Sequence, residues 1–156
     1  MGRVKYFVKV SGDEFKSQQF LTWISELALR SYVVICVGGG TQINEELKRR
    51  GFTIKEHGPL GRESASFEER QIARDILEIN AMECEDLLAN LGIHARVIVP
   101  VLDVGGVLCH VNGDQMIRTA YLGYDSLFVV TTPDRQVKKK TEFAELKQKV
   151  QVIAFR

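Results

Sequence analysis

Val33-Val34-Ile35-Cys36-Val37 runs directly into Gly38-Gly39-Gly40-Thr41-Gln42-Ile43-Asn44. The first five residues are apolar and mostly β-branched, the composition of a strand buried on both faces. Three glycines then release the backbone from Cβ crowding, and the polar residues that follow open a helix. A buried strand ending in a glycine turn and a helix lets backbone N–H groups approach an anion closely, so phosphate chemistry is the first expectation. A purely structural strand-to-helix turn is the other reading of the same residues.

Working outward, the neighbouring segments repeat the alternation. Residues 4–10 read as a first strand, with Lys9 near its carboxyl end and Ser11-Gly12-Asp13 turning out of it. Phe20, Trp23, Ile24, Leu27 and Ala28 follow at helical spacing as one core-facing stripe. After the glycines a helix runs through Glu45 to Arg49, and Gly51 stops it at a position needing positive φ. Strand, helix, strand, helix with near-continuous apolar strands predicts parallel pairing with helices on both sheet faces: an open three-layer αβα sandwich. The 156 residues, 45% hydrophobic and 26% charged, suit one domain over 1–156 with a sizeable core.

Further along, Phe52–Lys55 reads as a short strand leading into the irregular loop His57 to Ser64, which carries Arg62. The longest helix is expected from Ser66, as N-cap, to Leu91, with Glu68 and Glu69 in its first turn. It carries two apolar stripes, Ile72/Ile76/Ile79 and Leu77/Ala81/Cys84/Leu88/Leu91, which fit either intramolecular packing or a partner subunit. A strand at 95–102 meets Pro100, a small hairpin turns at Gly105-Gly106, and His110 to Gln115 opens a short helix. Leu127 to Val130 is a further buried strand. Lys138-Lys139-Lys140, a helix at about 141–149 and a strand from Val150 to Phe155 close the chain.

Composition narrows the function classes. Twenty-one basic and 20 acidic residues leave a formal charge of +1, which argues against a nucleic-acid or membrane-surface partner. No apolar run reaches membrane-spanning length, and the N-terminal run is too short for a secretory signal, so a cytoplasmic protein is expected. Cys36, Cys84 and Cys109 are widely spaced in apolar segments and show no zinc-ligand spacing; they read as buried hydrophobes, with no metal expected.

In an open parallel sheet, ligands gather outside the carboxyl ends of the strands. That rule collects Lys9, Ser11 and Gly12, then Gly38, Gly39 and Gly40, then Thr131 and Thr132, with Asp114 at the head of a helix. An ammonium, an N–H nest and a carboxylate that orients the ammonium are the elements of phosphoryl transfer.

The segments Lys9-Val10-Ser11-Gly12-Asp13, Val37 to Asn44 and Val111-Asn112-Gly113-Asp114-Gln115 resemble, in order and strand-end placement, those of the amino acid kinase family, with acetylglutamate and uridylate kinases the most similar members. The resemblance covers residues 4–132. It implies a kinase-like fold, with Lys9 and Asp114 catalytic and Ser11, Gly12, Gly38, Gly39 and Gly40 binding phosphate. It further implies that Arg62 and Asn112 bind the acceptor, that Thr131 and Thr132 bind nucleotide, that ATP and Mg2+ are cofactors, and that a homodimer forms through the 66–91 helix. The family's Thr-Asp-Val-Asp-Gly segment is here Thr131-Thr132-Pro133-Asp134-Arg135, and 24 residues follow Thr132, so a version truncated in its nucleotide-binding half is expected. The function implied is ATP-dependent transfer of a phosphoryl group to a small carboxylate or phosphate acceptor. The alternative is a non-catalytic relative that binds an anionic small molecule or a protein partner. An unrelated doubly wound domain with a structural glycine turn is the third reading.

Overall fold

The computed structural model describes residues 2–64 and 66–156. Five parallel strands form the main sheet: β1 (Lys5–Val10), β2 (Tyr32–Val37), β3 (Arg96–Ile98), β6 (Ser126–Thr131) and β7 (Val150–Ala154), in the order β3-β2-β1-β6-β7. The antiparallel pair β4 (Val101–Val104) and β5 (Val107–His110) stands apart. The helices are α1 (Gln18–Ala28), α2 (Gly40–Arg49), α3 (Phe67–Asn90), α4 (Gly113–Ala120) and α5 (Gln136–Glu142). The open αβα sandwich expected from the strand pattern is the architecture found.

Period-two alternation distributes each central strand between two cores. Val8, Val10, Val33, Ile35, Val37, Phe128 and Val130 pack with Phe20 and Ile24 of α1 and with Ala81, Cys84 and Leu88 of α3. Phe7, Val34, Cys36, Leu127 and Val129 point the other way, onto Met116 and Ile117 of α4 and onto Phe143. A strand covered on both sides has no polar face to show, which is why β2 and β6 read as unbroken apolar runs.

Much of the double stripe of α3 is satisfied within the chain. Ile72, Ala73 and Leu77 meet Ile43 and Leu47 of α2 in a third cluster, while Ala81, Cys84 and Leu88 join the first core. Ile79 and Met82 remain exposed, and among the described residues nothing covers them.

Several boundaries differ from expectation. Phe52 to Lys55 is not a strand; Phe52 and Ile54 alternate because they lie against the α2–α3 cluster while Thr53 and Lys55 face water. The 95–102 segment divides at Pro100, which has no N–H for a ladder, so pairing with β2 ends at Ile98 and the chain turns into the hairpin. The last helix begins at Gln136 rather than near residue 141, after a single 3-10 turn at Pro133–Arg135, and so contains all three consecutive lysines. A second 3-10 turn, Ala144–Leu146, connects it through buried Phe143 to β7.

The start of α3 is a reciprocal cap. The Ser66 hydroxyl accepts from the Glu69 N–H at 3.2 Å, and the Glu69 carboxylate accepts from the Ser66 N–H at 2.8 Å. Ser66→Ala is expected to lower stability by about 1 kcal/mol in urea unfolding, whereas Phe67→Ala, at a side chain 69% exposed, should change it by less than about 0.5 kcal/mol.

Candidate functional site

Strand order reverses at β1: the chain moves outward to β2 and β3, then returns to place β6 on the other side of β1. The carboxyl ends of β1, β2 and β6 therefore diverge into loops around one crevice, the usual ligand position in a doubly wound sheet. A cavity of about 380 Å³ occupies it.

Its floor comes from the strand ends. Lys9 projects from the α4 side of β1 and is mostly buried. Ser11 and Gly12 leave β1 with the Ser11 N–H on the Val130 carbonyl at 3.0 Å, and Gly38 follows β2 with its N–H on the Val10 carbonyl at 2.8 Å. Gly12 is sterically required, because a Cβ there would lie 2.8 Å from the Gly38 carbonyl oxygen. Asn80 of α3, itself buried, donates to that same oxygen at 2.9 Å and fixes the glycine turn from behind. Thr131 ends β6 on the cavity wall.

Gly39 is the N-cap of α2 and no side chain caps this helix, so its first-turn N–H groups have no side-chain cap. Gly38, Gly39, Gly40 and Thr41 all line the cavity. Asp13 holds the helix end in place: its carboxylate accepts from Thr41 Oγ1 at 2.8 Å and Gln42 Nε2 at 3.2 Å, and pairs with Arg135 at 3.7 Å.

Asp114 stands between two ammonium groups. Lys9 Nζ lies 3.5 Å from its Oδ1, and Lys139 of α5 donates to its Oδ2. Lys139 also reaches Glu142 at 3.2 Å. Burial works against ionisation of Asp114, but the Lys9 charge and the Lys139 hydrogen bond outweigh it and hold the carboxyl below its ordinary range. The α4 start is built for this contact. Asn112 caps it by accepting from the Asp114 N–H at 2.8 Å, and a Cβ on Gly113 would lie 2.6 Å from Lys9 Cε. Beside Lys9, burial pushes the Cys36 thiol up to about 12, so that sulfur is an inert part of the core.

The outer wall is the 57–62 loop, the hairpin and α5. Arg62 is half-buried and donates to the Gly40 carbonyl at 3.4 Å. Burial lowers its affinity for a proton, as expected of a guanidinium drawn from water without a carboxylate. His57 and His110 line the same space with Lys138 and Arg135. Five lining side chains are cationic, Lys9, Arg62, Arg135, Lys138 and Lys139, and one, Asp114, is a carboxylate. Among the described residues, Arg62 and Lys138 have no carboxylate at ion-pair distance.

Lys9, Ser11, Gly12, Gly38, Gly39, Gly40, Arg62, Asn112, Asp114 and Thr131 are thus brought together, and Thr132 is outside the set. The sequence did not single out Lys139 within its lysine run, nor Asp13, Asn80, Arg135 or the two histidines as parts of one site. Their signals are long-range: Lys139 meets Asp114 across 25 residues, and Asn80 meets Gly38 across 42.

The sequence matches no protein-family model and no curated protein. Among solved structures the chain is similar in fold to N-acetylglutamate synthase from Neisseria gonorrhoeae. In the complex with coenzyme A and L-arginine the identity is 10% and the TM-score 0.57, over 97% of this chain and 56% of that one. In the complex with coenzyme A and N-acetyl-glutamate the identity is 12% and the TM-score 0.58, over 97% and 54%. The chain therefore spans about half the length of these proteins, and at such identity the likeness is one of fold.

These neighbours correct the reading as an amino acid kinase. They are synthases solved with coenzyme A, and neither ATP nor Mg2+ is among their named ligands. Assignment to the kinase family, ATP-dependent phosphotransfer, the ATP and Mg2+ cofactors and the glycine segment as a phosphate loop are set aside, as is the non-catalytic kinase-like alternative. The physical reason lies in what the three segments encode. A lysine near one strand end, a glycine turn after the next and a capped helix start are what this sheet topology needs to close its crevice, and topology does not fix chemistry. Asp114, expected to orient the Lys9 ammonium, lies beside it and is also held by Lys139. No helix among the described residues is long and apolar enough to cross a membrane.

Replacing Asp114 by Asn leaves Lys9 without a counter-charge and Lys139 with Glu142 alone. The expected loss at neutral pH is on the order of 2–3 kcal/mol, toward the lower end for a broken buried pair because the cavity admits water. Because the folded-state carboxyl titrates below its unfolded value, its contribution is present above about pH 4 and is lost as pH falls through the folded value. Urea unfolding of both proteins from neutral pH downward should therefore show the difference shrinking only in that acidic range.

Proposed function

We propose that the cavity recognises a small acidic ligand of the amino-acid class carrying two negative charges, an acidic amino acid or its N-acyl derivative, and that the chain takes part in acyl transfer from a coenzyme A thioester. The observation that carries the first part is the charge of the lining: of its five cations, Lys9 and Lys139 share Asp114, Arg135 pairs with Asp13, and among the described residues Arg62 and Lys138 have no ion-pair partner. A dianion spanning Arg62 and the α2 start at one end, and Lys9 with Lys138 at the other, neutralises that excess. The uncapped N–H groups of Gly40 and Thr41 would receive one carboxylate together with Arg62, whose planar fork suits two oxygens. Lys9, held in place by Asp114 and by the absence of a side chain at Gly113, would receive the other. In this arrangement Asn112 acts through its cap, keeping Asp114 and hence Lys9 oriented, and Thr131 and Ser11 complete the polar floor.

The second part is supported by the fold neighbours, which carry coenzyme A together with an amino acid or an N-acyl amino acid. Acyl transfer needs the acceptor amine as a free base. Burial and the nearby cations lower the proton affinity of both His57 and His110 below that of an ordinary imidazole. Neutral imidazoles on the cavity wall are suitable acceptors for an ammonium proton.

Calorimetric titration with N-acetylglutamate, glutamate, glutaramate and MgATP tests the reading, with thiol release from acetyl coenzyme A as the second measurement. The dicarboxylates are expected to bind and the monoanionic glutaramate to bind about tenfold more weakly, one charge-assisted contact being lost. Arg62→Ala and Lys9→Ala should each weaken dicarboxylate binding by roughly 10- to 100-fold. Absence of dicarboxylate binding at millimolar concentration would overturn the assignment.

A further inference from the structure

His57 and His110 enter the cavity from segments outside the main sheet, His57 before the Gly58–Gly61 turn and His110 at the end of β5. Both line the cavity with Arg62, Lys138, Lys139 and the carboxylate of Asp114; burial first, and then the charges of Arg62, Lys139 and Lys138 for His57 and of Arg70, Arg74 and Arg62 for His110, lower their proton affinity. Arg62 is common to both, and it is one of the two lining cations without an ion-pair partner.

We propose that occupation of this cavity by an acidic ligand is coupled to proton uptake at His57 and His110, so that the ligand binds more tightly as the solution becomes mildly acidic.

The inference rests on the dianion reading above and deepens it with a mode of regulation. In the empty cavity, protonating either imidazole adds a further positive charge to an existing excess. Burial is the larger influence opposing protonation and the neighbouring cations add to it; an anion seated on Arg62 and Lys138 offsets both, by cancelling that charge and by supplying acceptor oxygens for the imidazolium N–H groups. The proton leaves the buffer acid, which becomes its conjugate base, and forms an N–H bond at the free ring nitrogen. By linkage, a ligand that favours the protonated form is itself favoured when protons are available. The coupling operates between the proton affinities of the empty and occupied states, around the ordinary imidazole range near pH 6.5. It lies above the range in which the ligand's own carboxylates would protonate, near pH 4.

The test combines NMR titration of the imidazole ring protons, assigned with His57→Gln and His110→Gln, and calorimetry in buffers of different ionisation enthalpy. In the free protein, Arg62→Gln should move both imidazole titrations toward higher pH. With N-acetylglutamate as probe, both titrations of the natural chain should also move up, protons should be taken up on binding, and affinity should be about tenfold higher near pH 6 than near pH 7.5. His57→Gln and His110→Gln should each remove part of the proton uptake. Binding of N-acetylglutamate with equal affinity at both pH values and no proton uptake would overturn the coupling while leaving the dianion reading intact. Absence of binding at both pH values would overturn the dianion reading and the coupling with it. Imidazole titrations indifferent to Arg62→Gln would overturn the shared-charge basis without any ligand present.

Discussion

The carboxylate of Asp114, held between Lys9 and Lys139, is the contact on which the crevice depends. It joins three elements far apart in the chain: the central strand β1, the start of α4 and the middle of α5. Asp114 is shared by both ammonium groups, and Lys139 has Glu142 as a second partner, so among the described residues Lys9 depends on Asp114 alone. Taking these groups out of water is unfavourable in itself, so the arrangement persists because hydrogen bonds and mutual attraction offset desolvation.

Around that contact, the cavity is divided between rigid and irregular walls. Strand ends and helix starts, braced by Asn80 on the Gly38 carbonyl and by Asp13 on Thr41 and Gln42, fix one side. The other side is a loop and a detached hairpin, joined to the rest by a few longer hydrogen bonds such as Gln115 Nε2 to the Pro59 carbonyl at 3.4 Å. The strand-end half supplies Lys9 and the glycine turn, while the outer half supplies Arg62 from the loop and Lys138 and Lys139 from α5.

The sheet was legible in the sequence because parallel strands buried on both faces leave a distinctive record: Val33 to Val37 and Leu127 to Val130 carry no polar residue at all. The glycine turn, the Ser66 cap and the Gly105-Gly106 hairpin were legible for the same reason, each being a local conformational demand. The site was legible only in part. Strand-end geometry brought Lys9, Gly38 and Asp114 to one place, but it did not specify what they bind. Lys139 sits in a run of three lysines that has the composition of a solvated turn, and only the position of α5 beside Asp114 gives the middle one its partner. Arg62 likewise lacks a local signature, since its environment comes from Gly40 and from the ends of other elements. The kinase reading failed at this point: it took a shared placement of residues at strand ends for a shared reaction.

The placement of β1 also governs how the chain can be made. Its register with β2 involves neighbours in sequence, Phe7 with Val34, but on its other side Phe7 lies beside Leu127, 120 residues later. During synthesis, therefore, β1 and β2 can pair early, while the opposite edge of the central strand waits for β6. An unpaired edge of this kind is a template for wrong partners, and closing so long a loop is slow. The central position that gives β1 a partner on each edge in the finished molecule leaves one edge open on the ribosome, and the crevice with its charges is among the last features to be assembled.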